Sequence, residues 1–231
     1  KMKTRSLALF IIVLLAVACA MPLLASAKEQ PEQCMILELR ENQQTVITAY
    51  ASEDDSMSNP DYALIGISWG GIVAQYWINP SNKYRFSTSA VVTAITTSAA
   101  TWDIETSADV FWYRGTTTKT SGRRDSYNVV DWGLYQNGVI AVTMIWYSGS
   151  QILEIDMRMN TRYKWSLSGE ARKMDVQNIV THEFGHWAGL DDLYDTKDYW
   201  LTMYGYSNYG VTYQRTQGLG DINGLAAVYG P

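Results

Sequence analysis

The sequence predicts an α+β domain, one sheet of several strands packed by three helices. Two observations carry this. Short apolar alternations recur between residues 72 and 159, each flanked by Gly, Asn, Ser or Asp as strands are. Three further segments place apolar residues at helical spacing behind capping residues. The chain has 231 residues, 47% of them hydrophobic, enough for one domain with its own core plus a short leader.

Residues 1–27 read as that leader. Lys1, Lys3 and Arg5 form a positive n-region, an uninterrupted apolar run follows, and Ala25-Ser26-Ala27 fits the small-x-small signal-peptidase pattern. A cleaved signal peptide is the first reading. The apolar run is also just long enough for an uncleaved membrane anchor, and Cys19 offers a lipid anchor. All three place the protein outside the cytoplasm, as a secreted or surface-held chain.

Residues 28–65 read as a short N-terminal segment or linker, with a polar acidic stretch, "ASEDDSMSNPD", too short for a folded pro-domain. The domain proper spans 66–231. Strands are expected at 72–78, 108–113, 138–147 and 153–159. In the last, Leu153, Ile155, Met157 and Met159 share one face and Glu154, Asp156 and Arg158 the other, so it should be half-buried.

Between the first two strands, Val91, Ile95, Ser98 or Ala99, and Trp102 fall at helical spacing, with Ser87 to Ser89 able to cap the start. A second helix should start at Asp175, run through Val176, Ile179, Val180, Phe184 and Trp187, and end at Gly189, a residue suited to the left-handed conformation that stops helices. A last helix over 221–230 takes Asp221 as cap, with Leu225 and Val228 inward.

Lys and Arg number 18 against 23 Asp and Glu; without the leader's three basic residues the net charge moves from −5 to −8. An acidic surface without basic clusters argues against nucleic acid or anionic membranes as partners. Of the two cysteines, Cys19 lies in the leader, which leaves Cys34 unpaired and the fold without a disulfide framework.

The chemistry lies in "THEFGHWAGLDD", residues 181–192. His182 and His186, the chain's two histidines, are four apart on the second helix, so both imidazoles point one way and reach one ion. Glu183 cannot comfortably join the same coordination sphere but lies beside it, placed as a general base. Gly189 lets the chain turn back, so Asp192 can supply a third ligand, which leaves an open position of the kind that distinguishes catalytic from structural zinc.

"HEFGHWAGLDD" resembles the metzincin pattern H-E-x-x-H-x-x-G-x-x-H, with Asp192 in place of the third histidine as in the snapalysin-like group. "MDVQNIVTHEFGHWAGL" is similar to the active-site helix of matrixins, "ILEIDMRMNTRYKW" to the strand and turn before it, "LGDINGLAAVYG" to their closing helix and "ALIGISWGGIVAQYWIN" to their opening strand. The resemblance covers residues 64–230. It implies a metzincin-like zincin with a mixed twisted sheet, one catalytic zinc on His182, His186 and Asp192, Glu183 as the catalytic carboxylate, and Met203 in a methionine turn beneath the metal.

By the same resemblance, an extended substrate pairs along a sheet edge at Gly138 to Trp146. A second, structural zinc lacks histidines to bind it, and calcium is left open, since no calcium loop is recognisable. Some metzincins carry a tyrosine two residues after the turn methionine; that position is Gly205 here, and Tyr204, Tyr206 and Tyr209 read as packing residues.

The expected function is a secreted, monomeric zinc metalloendopeptidase that acts on protein or peptide substrates. An aspartate ligand donates more charge than histidine, so activity should peak at neutral or alkaline pH, and Asp192→His should shift the pH–rate profile down. Two alternatives stay open. Nine Trp and sixteen Tyr suit a secreted aromatic-rich binding protein with a non-catalytic metal site, and the same zinc site serves hydrolases of other substrates.

Overall fold

The computed structural model describes residues 30–42 and 56–231. The leader, with Cys19, and much of the acidic stretch lie outside them. Among the described residues, nine strands and three α-helices follow in chain order: β1 (Glu32–Glu41), β2 (Ala74–Ile78), α1 (Thr88–Asp103), β3 (Phe111–Thr116), β4 (Val129–Gly133), β5 (Val139–Ser148), β6 (Gln151–Asn160), β7 (Trp165–Ser166), β8 (Met174–Asp175), α2 (Val176–Trp187), β9 (Tyr206–Ser207) and α3 (Leu219–Tyr229).

Seven strands form one mixed sheet in the order β3-β2-β4-β6-β5-β1-β9, while β7 and β8 pair separately. The pairings β2 with β3, β2 with β4, β4 with β6 and β1 with β9 are parallel; β5 runs antiparallel to both β6 and β1. Among the described residues no helix is long and apolar enough to cross a membrane.

The helices follow their sequence logic. Ser87 caps α1 by accepting the Ala90 amide, and the spaced residues Val91, Ile95, Ser98, Ala99 and Trp102 are the buried ones. Trp102 is driven against α2, where its indole donates to the Thr181 carbonyl at 2.9 Å, so the largest side chain in the interface carries no unpaired donor. Asp175 caps α2 through the Asn178 amide at 2.9 Å. Eleven of that helix's twelve residues are buried, so α2 is the inner element.

Three expectations are corrected. Residues 32–41, read as part of a mixed N-terminal segment, form a ten-residue strand whose Met35, Leu37 and Leu39 pack toward the core; the apolar run "CMIL" masks the period-two signal. The strand at 153–159 is not half-buried. Glu154 and Asp156 are buried beneath the segment 121–129, which donates its amides to them, and Leu153 is turned outward where the register with β5 slips. Asp221 does not cap α3, which starts at Leu219 behind Gly218; it sits in the first turn and accepts the Gly218 amide at 2.8 Å.

Five of the tryptophans, Trp69, Trp102, Trp132, Trp165 and Trp187, are buried, whereas Trp112 and the tyrosines Tyr62, Tyr194 and Tyr209 are exposed.

Candidate metal centre

α2 brings His182 and His186 to one face, their ring centroids 4.9 Å apart and mutually perpendicular. The helix ends because Gly189 adopts φ 98°, a conformation open to glycine, and the amides of Gly189 and Leu190 fold back onto the His186 and Gly185 carbonyls at 3.0 Å each. The chain therefore doubles back and sets Asp192 Oδ1 3.2 Å from His182 Nε2 and 3.7 Å from His186 Nε2. Among the described residues this is the one His/Cys/Asp/Glu group close enough to hold a metal ion, its ligand atoms all within 4.8 Å of one another.

Each member is held by a second group. His182 Nδ1 lies 2.7 Å from the Thr202 carbonyl and His186 Nδ1 2.9 Å from the Leu190 carbonyl. A carbonyl only accepts, so both Nδ1 atoms carry the proton and both Nε2 lone pairs point at the common centre. Asp192 Oδ2 accepts from the Tyr194 hydroxyl at 3.0 Å, and Glu183 Oε2 from the Thr143 hydroxyl at 2.6 Å.

What remains is a set of buried atoms without partners: His182 Nε2, His186 Nε2, Asp192 Oδ1 and Glu183 Oε1. An unsatisfied buried polar atom costs about 1–3 kcal/mol, so four converging ones are a large local expense to keep in a folded chain.

Burial also shapes the titrations. It pushes the Glu183 carboxyl up to about 7, against the opposing pull of His182 and the Thr143 hydroxyl; Asp192 and Glu38 add to the rise. Burial holds His186 below the ordinary imidazole range. On His182, burial is outweighed by the neighbouring Asp192 carboxylate, with Glu183 and the Thr202 carbonyl adding to it, and the net direction is upward. Asp192 in turn lies low, because the two histidines outweigh its burial.

Met203 is buried, and its sulfur abuts α2 at Gly185, on the turn between the two histidines, where any side chain would collide with it. Asp221 of α3 accepts the Thr202 and Met203 amides at 2.8 and 3.0 Å. The same Thr202 then holds His182, so α3 reaches the site through two hydrogen bonds. Gly205 lies against the ring of Tyr194; the tyrosine that touches the third carboxylate comes from two residues after Asp192, not two after Met203. Tyr204 is buried and packs edge-on with Tyr199 and Tyr206.

All five expected site residues thus meet in one place. The supporting residues Thr143, Tyr194, Thr202 and Asp221 were not legible as such, since they come from β5, from the connection between α2 and β9, and from α3, and no motif spaces them. The expected substrate edge is corrected: Gly138 to Trp146 is not an edge here, because β1 covers β5 along almost its whole length. Cys34, on β1, is exposed and stands opposite Trp146, away from the ligands.

A cavity of about 420 Å³ is lined by Leu37, Glu38, Arg40, Tyr135, Asp192 and Tyr194. A neighbouring one of about 520 Å³ is lined by Arg40, Gly138, Tyr194, Tyr204 and Tyr206. No protein-family model matches the chain, and no curated protein matches it.

Proposed function

We propose that this chain is a zinc-dependent endopeptidase of the metzincin type, matrixin-like with an aspartate third ligand, acting on proteins outside the cytoplasm. The observation that carries the reading is the convergence of three unpartnered buried ligand atoms, two imidazole nitrogens and a carboxylate oxygen, beside an unpartnered glutamate oxygen. The mixed sheet with α2 packed against it supports the zincin architecture.

The donor set fits zinc. Two neutral imidazoles and one carboxylate are its usual open-site ligands, whereas calcium and magnesium favour oxygen alone. His182, His186 and Asp192 would hold the ion. When bound there, zinc supplies a Lewis acid that polarises the scissile carbonyl and makes a water acidic enough to attack it.

The chain's own residues do the proton work. Thr143 ties down one oxygen of Glu183 and leaves Oε1 free toward the centre. A carboxylate placed near neutrality by burial takes the proton of the attacking water and returns it to the leaving amine, because its two protonation states lie close in energy. Thr202 and Leu190 fix the imidazole tautomers through both steps.

The test is casein cleavage by the zinc-loaded protein beside Glu183→Ala and a chelator control. Loss of cleavage in both establishes the assignment. A Glu183→Ala protein that still cleaves at the wild-type rate removes it.

A further inference from the structure

The histidine face of α2 extends one turn further back along the helix. Asn178, His182 and His186 are spaced by four, so they share one stripe. Asn178 is fully buried, and its partner is Gln214, equally buried, on a short 3₁₀ turn at Tyr213–Arg215. Uncharged amides of this size are mostly found at the surface, so a buried pair needs its hydrogen bonds accounted for.

The two side chains fix each other. Asn178 Nδ2 donates to Gln214 Oε1 at 2.8 Å and to the Ser207 hydroxyl at 3.3 Å, and Asn178 Oδ1 accepts the Gln214 backbone amide at 2.9 Å. With Oε1 turned to Asn178, the nitrogen of Gln214 faces the other way, into the segment 202–206. There Nε2 lies 3.4 Å from the Thr202 carbonyl, 3.2 Å from that of Tyr204 and 3.5 Å from that of Tyr206. Its two hydrogens are shared among three acceptors.

The Thr202 carbonyl is also the one that receives His182 Nδ1, at 2.7 Å. A carbonyl has two lone pairs, so imidazole and carboxamide can use it together. The other end of the same peptide unit, the Met203 amide, donates to Asp221 at 3.0 Å. Asp221 thus holds one end of that plane, and Gln214 holds the end on which His182 hangs.

We propose that Gln214 is a positioning residue: aimed by Asn178, its carboxamide fixes the Thr202 carbonyl and, through it, the imidazole that His182 presents to the metal. The clamp stands on this geometry, while its effect on zinc rests on the metal-site reading above. Arg215, the next residue, supplies the control. It forms a two-pronged ion pair with Asp175 at 2.8 and 2.7 Å, so it holds the start of α2 and not the ligand turn.

The test uses the full chain, untagged and labelled with ¹⁵N in histidine, whose two imidazoles give a spectrum with one internal reference. Gln214→Met keeps the volume and removes the amide. In metal-free protein it should shift the Nδ1–H resonance of His182 and leave that of His186, bonded to Leu190, in place. Zinc affinity should fall by about tenfold, the low end for loss of a group that orients a ligand, and the visible spectrum of the cobalt form should change.

Asn178→Asp disturbs the same clamp without deleting Gln214. It sets an oxygen against Gln214 Oε1, so the carboxamide turns its nitrogen to the new carboxylate and away from the three carbonyls. A negative charge at the third residue of α2 suits the helix N-terminus, and the His182 resonance should shift here too. Arg215→Met should lower the melting temperature with both resonances and zinc affinity unchanged.

The inference is overturned if the His182 resonance stays in place in folded Gln214→Met, or if Arg215→Met moves it as far, because Gln214 would then be packing alone. Asn178→Asp decides in the same way where Gln214→Met does not fold. A His182 resonance that moves as expected in a protein that binds no zinc supports the clamp and removes the metal reading instead.

Discussion

Two clusters of buried charge lie on opposite sides of this molecule's chemistry. Around the segment 121–129, Asp131, Glu154 and Asp156 are buried, yet each carboxylate is met by donors. Asp156 accepts the Gly122 amide at 2.6 Å and the Val129 amide at 2.8 Å; Glu154 accepts the Arg124 guanidinium at 2.8 Å and the Asp125 amide at 2.9 Å; Asp131 accepts the Ser121 hydroxyl at 2.6 Å. At the other cluster, His182, His186, Asp192 and Glu183 are equally buried and keep one atom each unpaired. Both clusters hold ionisable groups out of water; satisfaction separates them. The first cluster is finished by the chain itself and fixes a loop, while the second is left open toward something the chain does not contain.

The largest effect that would sharpen the contrast is catalytic. A general base contributes about 10²–10⁴ in rate, so Glu183→Gln should lower kcat for a peptide substrate by about a thousandfold while one zinc per chain remains bound. Loss of zinc together with activity would show instead that Glu183 builds the site and does not act in it.

Next comes stability, where the order of the clusters should reverse. Asp156→Ala strands two or three buried amides, at about 1–3 kcal/mol each, so about 3 kcal/mol of folding stability should be lost with zinc stoichiometry unchanged. His182→Ala removes a buried Nε2 that has no hydrogen-bond partner and strands one carbonyl, that of Thr202, where Asp156→Ala strands two or three amides; it should abolish zinc binding yet cost the metal-free protein less than Asp156→Ala does. Chemical denaturation of the two variants without metal compares them directly, and a more damaging His182→Ala would break the contrast.

The frustrated cluster should also show in pH. Glu183 rises from an ordinary value of 4.5 to about 7 in the fold. A carboxyl raised by folding keeps its proton to higher pH than the unfolded chain does, so its contribution is complete below about pH 4.5 and lost as pH climbs through 7. At about 1.4 kcal/mol per unit, metal-free protein should lose about 3 kcal/mol across that window through this residue. Glu183→Gln cannot titrate, and its melting temperature should change less with pH over the same range. Parallel curves for the two proteins would contradict the buried, proton-holding carboxyl.

Much of this contrast was open to reading in the sequence, and the boundary is physical. The ligands were legible because helix geometry turns a spacing of four into a shared face, and because Gly189 carries its own conformational signal. α1 was legible for the same reason: one residue in every three or four is apolar and buried. What escaped depended on long-range partners. Glu154 and Asp156 look like a solvent face in "LEIDMRM", since nothing local announces that residues 122–129 will fold over them with their amides. β1 looked like linker because its alternation is blurred at "CMIL" and its partner, β5, lies about a hundred residues away. Thr143, Thr202 and Asp221 support the site from a strand, a turn and a helix far apart in the chain, so no local spacing marks them.

The smallest effect isolates that supporting layer. Tyr194 donates to Asp192 Oδ2 across 3.0 Å, and that oxygen is the one turned away from the histidines. Without the hydroxyl, Asp192 is free to rotate, and the arrangement that presents Oδ1 between the two Nε2 atoms is no longer enforced. Loss of such a supporting hydrogen bond typically weakens metal binding by about 10–100-fold, and the low end applies because Tyr194 is largely exposed and water can replace its hydroxyl. Tyr194→Phe keeps the ring against Gly205 and should therefore leave folding stability nearly unchanged while zinc affinity drops by about tenfold, measured by competition with a chromophoric chelator. Cobalt substitution adds a reading that packing alone does not move: the visible spectrum of Tyr194→Phe should differ from wild type if the hydroxyl orients the third ligand, and an identical spectrum with unchanged affinity would mean that Asp192 is positioned by the Leu193 and Gly205 backbone alone.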